Sequence, residues 1–219
     1  MTGRAVAVLL ACASGAMAQA PSTTPQLHAT VGLAAGTHTV RSRTADGREL
    51  LTGFTLAGEG VVERGALRLR IRYGQGHLTP DTARATILER RFTEGEALLG
   101  YRARPWLTVW VGPHARTYAT HLGKQRWLFW EVRGQAHVTV LADRMTSFLE
   151  IWAAPAGDVD VRESFGSGRG AEGGIQVLVA GPDVWARLAY RIEQARMGGG
   201  TRRETVDAVL LGVAVPVRE

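Results

Sequence analysis

The stretch ALRLRIRYGQG, residues 66–76, places arginines at Arg68, Arg70 and Arg72, each two residues from the next. In an extended strand, side chains at this spacing lie on one face, and the apolar side chains between them lie on the other. Guanidinium groups in such a row bind carboxylates or other anions through charge-assisted hydrogen bonds. The row therefore predicts either an anion path or a set of ion pairs with acids on neighbouring strands.

Acidic residues on the flanking segments have the spacing to pair with this row. A two-residue turn before the row would set Glu59 across from Arg70. The loop after the row would set Arg72 across from Glu94, and the same register would set Arg70 across from Glu96. Cross-strand neighbours lie about 5 Å apart, so acids on both sides would neutralise the arginines. The predicted ionic cluster comprises Glu59, Arg68, Arg70, Arg72, Glu94 and Glu96.

Charged residues recur with the same alternation in later segments. Because they alternate with apolar residues, we expect them to face the same side as the arginine row. The second predicted group comprises Glu131, Arg133, His137, Glu150, Arg187, Arg191 and Asp207. Asp207 lies in a last segment whose central part is otherwise apolar on both faces, so its phase has the weakest basis in the sequence.

Ten segments show this period-two pattern, with one apolar face and one mixed or polar face. The pattern predicts strands over residues 26–41, 50–62, 66–76, 92–103, 106–118, 126–141, 145–155, 171–180, 184–196 and 204–217. Strands of 10 to 16 residues exceed the ~5–6 residues usual in soluble sheets and suit a tilted crossing of an apolar band ~25 Å tall.

Short and long connections alternate between these segments. The short ones are Arg64-Gly65, Arg104-Pro105, Asp143-Arg144 and Gly181-Pro182-Asp183. The long ones are residues 42–49, 76–91, 119–125, 156–170 and 197–203. An even strand number with short turns at one end and long loops at the other is typical of bacterial outer-membrane barrels, whose turns and termini lie in the periplasm.

In this organisation the chain resembles the outer-membrane β-barrel proteins as a class, across essentially its whole mature length. The resemblance implies an all-β, up-and-down antiparallel transmembrane barrel of about ten strands. It also implies a monomer in the bacterial outer membrane that contacts lipid and the barrel-insertion machinery. One feature departs from the class, because such barrels usually end on an aromatic residue and this chain ends Val215-Pro216-Val217-Arg218-Glu219.

The amino terminus has the features of a secretory signal. Arg4 precedes an apolar run, and the Ala16-Met17-Ala18 triplet fits a cleavage site. We therefore predict a signal peptide over residues 1–18, a short segment over 19–25 and a barrel domain over 26–219. Cleavage before Cys12, as in a lipoprotein, is the alternative.

Composition excludes several functional classes. Cys12 is the only cysteine, so a chain cleaved after Ala18 has neither disulfides nor thiolate metal sites. Removing Arg4 with the signal leaves 25 cations against 20 acids, a formal charge of +5. This modest, dispersed excess favours lumenal or solvated charge over nucleic-acid binding, and the sequence predicts no cofactor.

Catalytic and metal-binding patterns are weak. The histidines, scattered over different segments, favour hydrogen bonding over metal ligation; they are His28, His38, His77, His114, His121 and His137. Ten-stranded outer-membrane proteases resemble this chain in strand number and need paired acids and a histidine near the outer rim. The nearest candidates are His77 with Asp81, or Asp158 with Asp160, but no motif joins them. We therefore predict a protein that is not an enzyme.

Three other functions stay open at the level of the sequence. A narrow pore for small solutes would use the arginine row as an anion path. An outer-membrane enzyme would use a site at the rim. A soluble exported barrel would bury the apolar face around a lipophilic ligand, but ten inward apolar faces would need a large ligand or a second layer to fill them. We expect a closed lumen with a structural or surface-binding role, and the sequence does not identify a surface ligand.

Overall fold

The computed structural model describes most of the predicted barrel domain. The described residues are 26–45, 47–81, 88–142, 144–160, 164–181 and 183–217. The predicted signal peptide, the alternative cleavage at Cys12 and the segment over residues 19–25 lie outside them. Within the described residues, no helix is long and apolar enough to cross a bilayer.

The described residues form ten antiparallel strands. They are β1 (Leu27–Thr44), β2 (Gly47–Arg64), β3 (Leu67–Pro80), β4 (Arg90–Arg104), β5 (Leu107–Ala119), β6 (Lys124–Leu141), β7 (Met145–Val159), β8 (Phe165–Ala180), β9 (Val184–Met197) and β10 (Arg202–Val217). Each strand pairs with its sequence neighbours, and β10 pairs with β1 to close the barrel. The prediction of an up-and-down barrel of ten strands is confirmed.

The two faces of the sheet have opposite character, as the alternation predicts. On β3, Leu69 and Ile71 point outward and are 43% and 55% exposed, whereas Arg70 between them points inward and is 4% exposed. Leucine, valine and isoleucine side chains dominate the outward face of the other strands as well. The barrel therefore presents an apolar band to its surroundings and encloses a charged lumen.

The strands are longer than predicted, and this corrects the predicted connections. Residues 42–44 and 47–49 belong to β1 and β2, so Ala45 and residue 46 alone connect these strands. Residues 156–159 and 165–170 likewise extend β7 and β8. These segments continue the strand pairing, but their outward residues are polar. The alternation of apolar and polar residues therefore did not predict them as strands. A strand of 18 residues, tilted by ~40°, spans about 45 Å and thus projects beyond the apolar band.

The two ends of the barrel still differ in the length of their connections. We call the turn end the one that carries residues 65–66, 105–106, 142–144 and 181–183, together with both ends of the described barrel. We call the loop end the one that carries residues 45–46, 81–89, 120–123, 160–164 and 198–201. In outer-membrane barrels the short turns and the termini lie in the periplasm. The loop end therefore corresponds to the outer surface.

Candidate functional site

The lumen is the candidate site, and it has three parts along the barrel axis: a cavity and two layers of side chains. A cavity of about 510 Å³ opens at the turn end, and we call it the turn-end cavity. Buried arginines and glutamates fill the middle, and we call them the ionic network. Apolar and aromatic side chains pack at the loop end, and we call them the aromatic layer. The following contacts explain how these layers arise.

Register between β2 and β3 brings the first acids to the arginine row, but two residues away from the predicted pairing. Glu59 lies opposite Arg72, and Val61 lies opposite Arg70. The difference arises because Gly65 and Ala66 form the turn, not Arg64 and Gly65. Gly65 has φ 62°, a conformation that glycine adopts without steric cost. Because side chains alternate with period two, the shift changes partners and preserves the face.

The same two-residue shift occurs between β3 and β4. Arg72 lies opposite Glu96, and Arg70 lies opposite Leu98, whereas Arg72 opposite Glu94 was predicted. Arg70 still reaches Glu96 diagonally, with its Nε 3.1 Å from Glu96 Oε1. Arg70 was predicted directly opposite Glu96, and in the structure it contacts this acid of β4 diagonally.

A first hub of the ionic network crosses the lumen. Arg70 on β3 donates two hydrogen bonds, of 2.8 and 2.9 Å, to the carboxylate of Glu150 on β7, a strand that is not adjacent to β3. Arg133 on β6 donates to Glu150 at 2.8 Å and to Glu96 at 2.6 Å. It also donates through Nε to Glu131 at 2.7 Å. Members of the two groups predicted separately, Arg70 and Glu96 from the first and Glu131, Arg133 and Glu150 from the second, thus belong to one network.

A second hub lies next to the first, nearer the loop end. Arg191 donates to Glu94 at 3.1 Å and to Glu193 at 3.0 Å. Arg116 also reaches Glu193, at 2.9 Å. His114 connects the hubs, because its Nδ1 lies 2.9 Å from Glu131 and its Nε2 lies 3.5 Å from Glu94.

Toward the turn end the pairs are more accessible. Arg187 binds Glu172 at 2.5 Å and lies 3.7 Å from Glu59. Arg72 lies 3.6 Å from Glu172. These contacts complete a chain of charges from the buried hubs to the turn-end cavity.

The remaining cations of this end line the turn-end cavity. Arg68 binds Glu63 at 2.6 Å, and Arg102 binds the same carboxylate. His137 also lines the cavity, as predicted for an inward residue. The arginines at this wall are Arg68, Arg70, Arg72, Arg102 and Arg187.

Asp207 was predicted in the lumen, and this prediction is wrong. It lies opposite Thr39 and Ile192, and Ile192 is one of the exposed outward side chains. Its carboxylate binds Arg41 at 2.5 Å and accepts a hydrogen bond of 2.9 Å from the Tyr190 hydroxyl. The central part of β10 is apolar on both faces, so its composition did not determine the phase.

Several lumenal residues escaped the sequence analysis. Glu172 and Glu193 are buried members of the network, and Glu204 accepts a 2.7 Å hydrogen bond from the Tyr118 hydroxyl. Glu204 and its cross-strand neighbour Ser42 are both buried, which places them on the inward face. Alternation places Glu193 on the same face as Arg191, although the predicted groups did not include it. Glu204 begins its segment, where alternation gives little information.

Two tryptophan rings pack against guanidinium groups of the ionic network. The Arg70 guanidinium lies 4.7 Å from the Trp110 ring centre, and that of Arg133 lies 4.8 Å from the Trp152 ring centre. Trp152 lies opposite Gly170, where a Cβ atom would come within 2.3 Å of the ring. Glycine thus makes room for an aromatic side chain that stacks on the charged network.

The aromatic layer packs inside the barrel at the loop end. Ring contacts run from Phe92 to Tyr118 at 5.6 Å, from Trp127 to Phe129 at 5.9 Å, and from Phe129 to Phe165 at 5.3 Å. All of these rings except Phe165 are fully buried. No residue of this layer lines the turn-end cavity. Among the described side chains, the cavity therefore opens toward the turn end and does not reach the aromatic layer.

One group of donor atoms within the network has the spacing of a metal site. Donor atoms of His114, Glu131 and Glu193, all buried, lie within 4.8 Å of one another. However, Arg116 and Arg191 each contact one carboxylate oxygen of Glu193. Guanidinium groups already supply the positive charge at these oxygens, so the donor set fits an ion-pair network better than a metal centre.

The predicted rim residues do not converge. His77 and Glu89 form an exposed pair at 3.4 Å. Asp158 and Asp160 are exposed, and the Asp160 amide donates to the Arg126 carbonyl at 2.9 Å. Among the described residues, no contact joins Asp81, Asp158 or Asp160 to a histidine. The described rim residues thus form no arrangement of acid, base and nucleophile.

Comparison with known proteins finds likeness in structure alone. No protein-family model and no curated protein matches the chain. An outer-membrane channel from Pseudomonas putida has 10% sequence identity and a TM-score of 0.50, and the match covers 91% of this chain and 100% of that one. The translocator domain of the autotransporter NalP from Neisseria meningitidis has 10% identity and a TM-score of 0.48 over 84% and 88% of the chains. Neisserial surface protein A has 14% identity and a TM-score of 0.38 over 84% and 96%.

The fold is that of a bacterial outer-membrane β-barrel. At these identities the likeness concerns the fold alone. The outward band of leucine, valine and isoleucine needs an apolar environment, and closure leaves no unpaired strand edge in it. The barrel therefore lies in the bacterial outer membrane, and a soluble barrel that buries its apolar face around a ligand is excluded because that face points outward.

Proposed function

We propose that the protein is a non-conducting, monomeric outer-membrane barrel whose filled lumen makes it a rigid support for its outer surface. The observation that carries the proposal is the bidentate bond between Arg70 and Glu150, which crosses the lumen between non-adjacent strands. An open pore would leave such groups on the wall, in contact with water. Here they are about 95% buried against one another.

Two layers oppose ion flow in this proposal. The ionic network occupies the middle of the lumen, and a ten-stranded barrel is little wider than the eight-stranded barrels that side chains fill. The aromatic layer then covers the loop end of the network. Removing charge alone would leave this second barrier, so we expect conduction only when both layers are reduced.

Planar-bilayer recordings test the proposal. The wild type should insert without stable conductance, and so should two variants that each thin one layer, Glu94→Ala plus Glu96→Ala, and Phe92→Ala plus Trp127→Ala. The combined quadruple variant should conduct. Circular dichroism and heat-dependent electrophoretic mobility would confirm that every variant is folded. Stable conductance of the wild type would reject a closed lumen and favour a pore.

A catalytic role has less support. The rim acids and His77 do not converge among the described residues, and the buried acids each bind an arginine or a histidine. We propose that the outer surface, and not a reaction site, carries the function. We also propose that the chain is delivered to the membrane by the barrel-insertion machinery, as its architecture implies.

A further inference from the structure

Four arginines lie side by side on the outward face near the loop end, and we call them the outer arginine row. Arg48 on β2 lies directly opposite Arg43 on β1. Arg43 lies opposite Arg203 on β10, and Arg203 lies opposite Arg196 on β9. Four consecutive strands therefore each contribute one arginine at the same height. At ~4.8 Å between strands, the row is about 14 Å long.

The row faces away from the lumen. Ser42 and Glu204, which flank Arg43 and Arg203 in sequence, are buried and joined by a hydrogen bond of 3.3 Å. Side chains alternate along a strand, so the arginines next to them point outward. All four arginines of the row are exposed.

The described part of the protein does not neutralise these charges. Among the described residues, no member of the row forms an ion pair, and the nearby Asp207 binds Arg41 and Tyr190. Like charges at directly opposed positions destabilise a sheet. Three such contacts in succession therefore favour an anionic partner, and none lies among the described residues of this chain.

The height of the row indicates where that partner lies. The last outward aliphatic residue lies two residues from Arg48 on β2 and four residues from Arg196 on β9. It lies six residues from Arg203 on β10 and eight residues from Arg43 on β1. These residues are Leu50, Ile192, Val209 and Ala35. A tilted strand rises ~2.5 Å per residue along the barrel axis, so the row lies about 5–10 Å beyond these residues on β2 and β9 and about 15–20 Å beyond them on β10 and β1. Lipid headgroups occupy the zone directly beyond the apolar band, and the long arginine side chains of the row reach toward it.

We propose that the outer arginine row binds the headgroup of an outer-leaflet lipid that carries two or more phosphates. Guanidinium groups bind phosphate in a bidentate manner, and a row about 14 Å long extends well beyond a single phosphate. A multiply phosphorylated headgroup would lie along the row and remove the repulsion between the opposed arginines. Lipid attached in this way would fix the barrel laterally in its leaflet.

The chain offers a matched control on the far side of the barrel. Arg91 and Arg126 also point outward near the loop end and are exposed. Arg91 lies opposite His77 and Ala119, and Arg126 lies opposite Thr117, so neither has an arginine neighbour across the strands. Replacing both removes the same charge as replacing two members of the row.

Binding measurements on the full barrel in zwitterionic detergent test the proposal. The probes are purified lipopolysaccharide, its enzymatically dephosphorylated form, and inorganic phosphate. Arg43→Gln plus Arg203→Gln should weaken lipopolysaccharide binding about thirtyfold, and Arg203→Gln alone about fivefold. Arg91→Gln plus Arg126→Gln should change it less than about threefold. Heat-dependent electrophoretic mobility checks folding, and the single variant serves if the double variant misfolds.

The remaining outcomes separate the sources of phosphate. The wild type should bind dephosphorylated lipopolysaccharide weakly, and added salt should weaken binding of the phosphorylated form. Equal losses in the row and control variants would overturn the proposal, because charge alone would then explain binding. Inorganic phosphate that competes at the concentration of the lipid phosphates would also overturn it, because the lipid would then contribute nothing.

Discussion

Arginines line both faces of this barrel wall, and the two sets differ in their partners. In the lumen, Arg70 is almost fully buried and contacts Glu96 and Glu150. On the outer face near the loop end, Arg43 is exposed and lies between Arg48 and Arg203 without a carboxylate among the described residues. The same strand alternation thus produces a compensated set inside and an uncompensated set outside.

The difference follows from what surrounds each face. A guanidinium group enclosed by protein has no water to solvate it, so it must be paired within the chain. One at the headgroup zone of a membrane meets water and lipid phosphates, so pairing within the chain is not required. We therefore expect that removing a lumenal acid lowers the free energy of unfolding, and that removing an arginine of the outer row does not.

The largest effect should come from removing a lumenal acid. Glu150→Ala leaves both Arg70 and Arg133 without one partner, and breaking a buried pair costs about 3–5 kcal/mol of unfolding free energy. Urea unfolding in lipid vesicles measures it. Glu63→Ala, at the more accessible turn end, serves as the control and should cost about 1 kcal/mol or less. Equal losses would show that the lumen is hydrated.

A charge placed on the apolar band should cost somewhat less. Leu69→Arg puts a guanidinium group among outward aliphatic side chains, which costs about 2–4 kcal/mol near the bilayer midplane. The same unfolding assay measures the loss, and Leu69→Val is its conservative control. If Leu69→Arg were tolerated as well as Leu69→Val, this face would not contact lipid.

A smaller effect should follow from crowding the tryptophan beneath the network. Gly170→Ala places a Cβ atom within 2.3 Å of the Trp152 ring, and such overpacking costs about 1–3 kcal/mol. Gly134→Ala is the matched control, because no atom lies within 4 Å of a Cβ atom there. It should change unfolding by about 0.5 kcal/mol or less. Fluorescence of Trp152 should shift only in the first variant.

The smallest effect, and of opposite sign, should come from the outer arginine row. Arg43→Gln removes two like-charge contacts, so the barrel should gain about 0.2–1 kcal/mol in zwitterionic detergent without added lipid. Thermal unfolding at low ionic strength measures the gain, which added salt should reduce. A clear loss of stability would mean that Arg43 has a structural partner.

Alternation predicts much of this molecule, because period two fixes the face of each strand regardless of its partner. It identified the inward phase of Arg70 and Glu150 and the outward phase of Leu69. It did not fix register, because the choice of Gly65 and Ala66 as the turn shifts all partners by two residues while leaving the faces unchanged.

Contacts across the lumen lay beyond the sequence for a different reason. Arg70 and Glu150 lie on strands that are not adjacent, so no turn length relates them. The aromatic layer was also missed, although Trp127 and Phe129 share the phase of Glu131. At the start of β6, residues 127–130 are apolar on both faces, and this pattern could have indicated apolar packing inside the barrel.

Chemical modification of arginine tests the contrast between the two faces most directly. Folded barrel in zwitterionic detergent would be treated with phenylglyoxal, and modified arginines would be quantified by mass spectrometry. Arg43, Arg48, Arg196 and Arg203 should react readily, whereas Arg70, Arg116, Arg133 and Arg191 should react only after unfolding in urea. Modification of the lumenal arginines in the folded barrel at the rate of the outer ones would contradict a filled, ion-paired lumen.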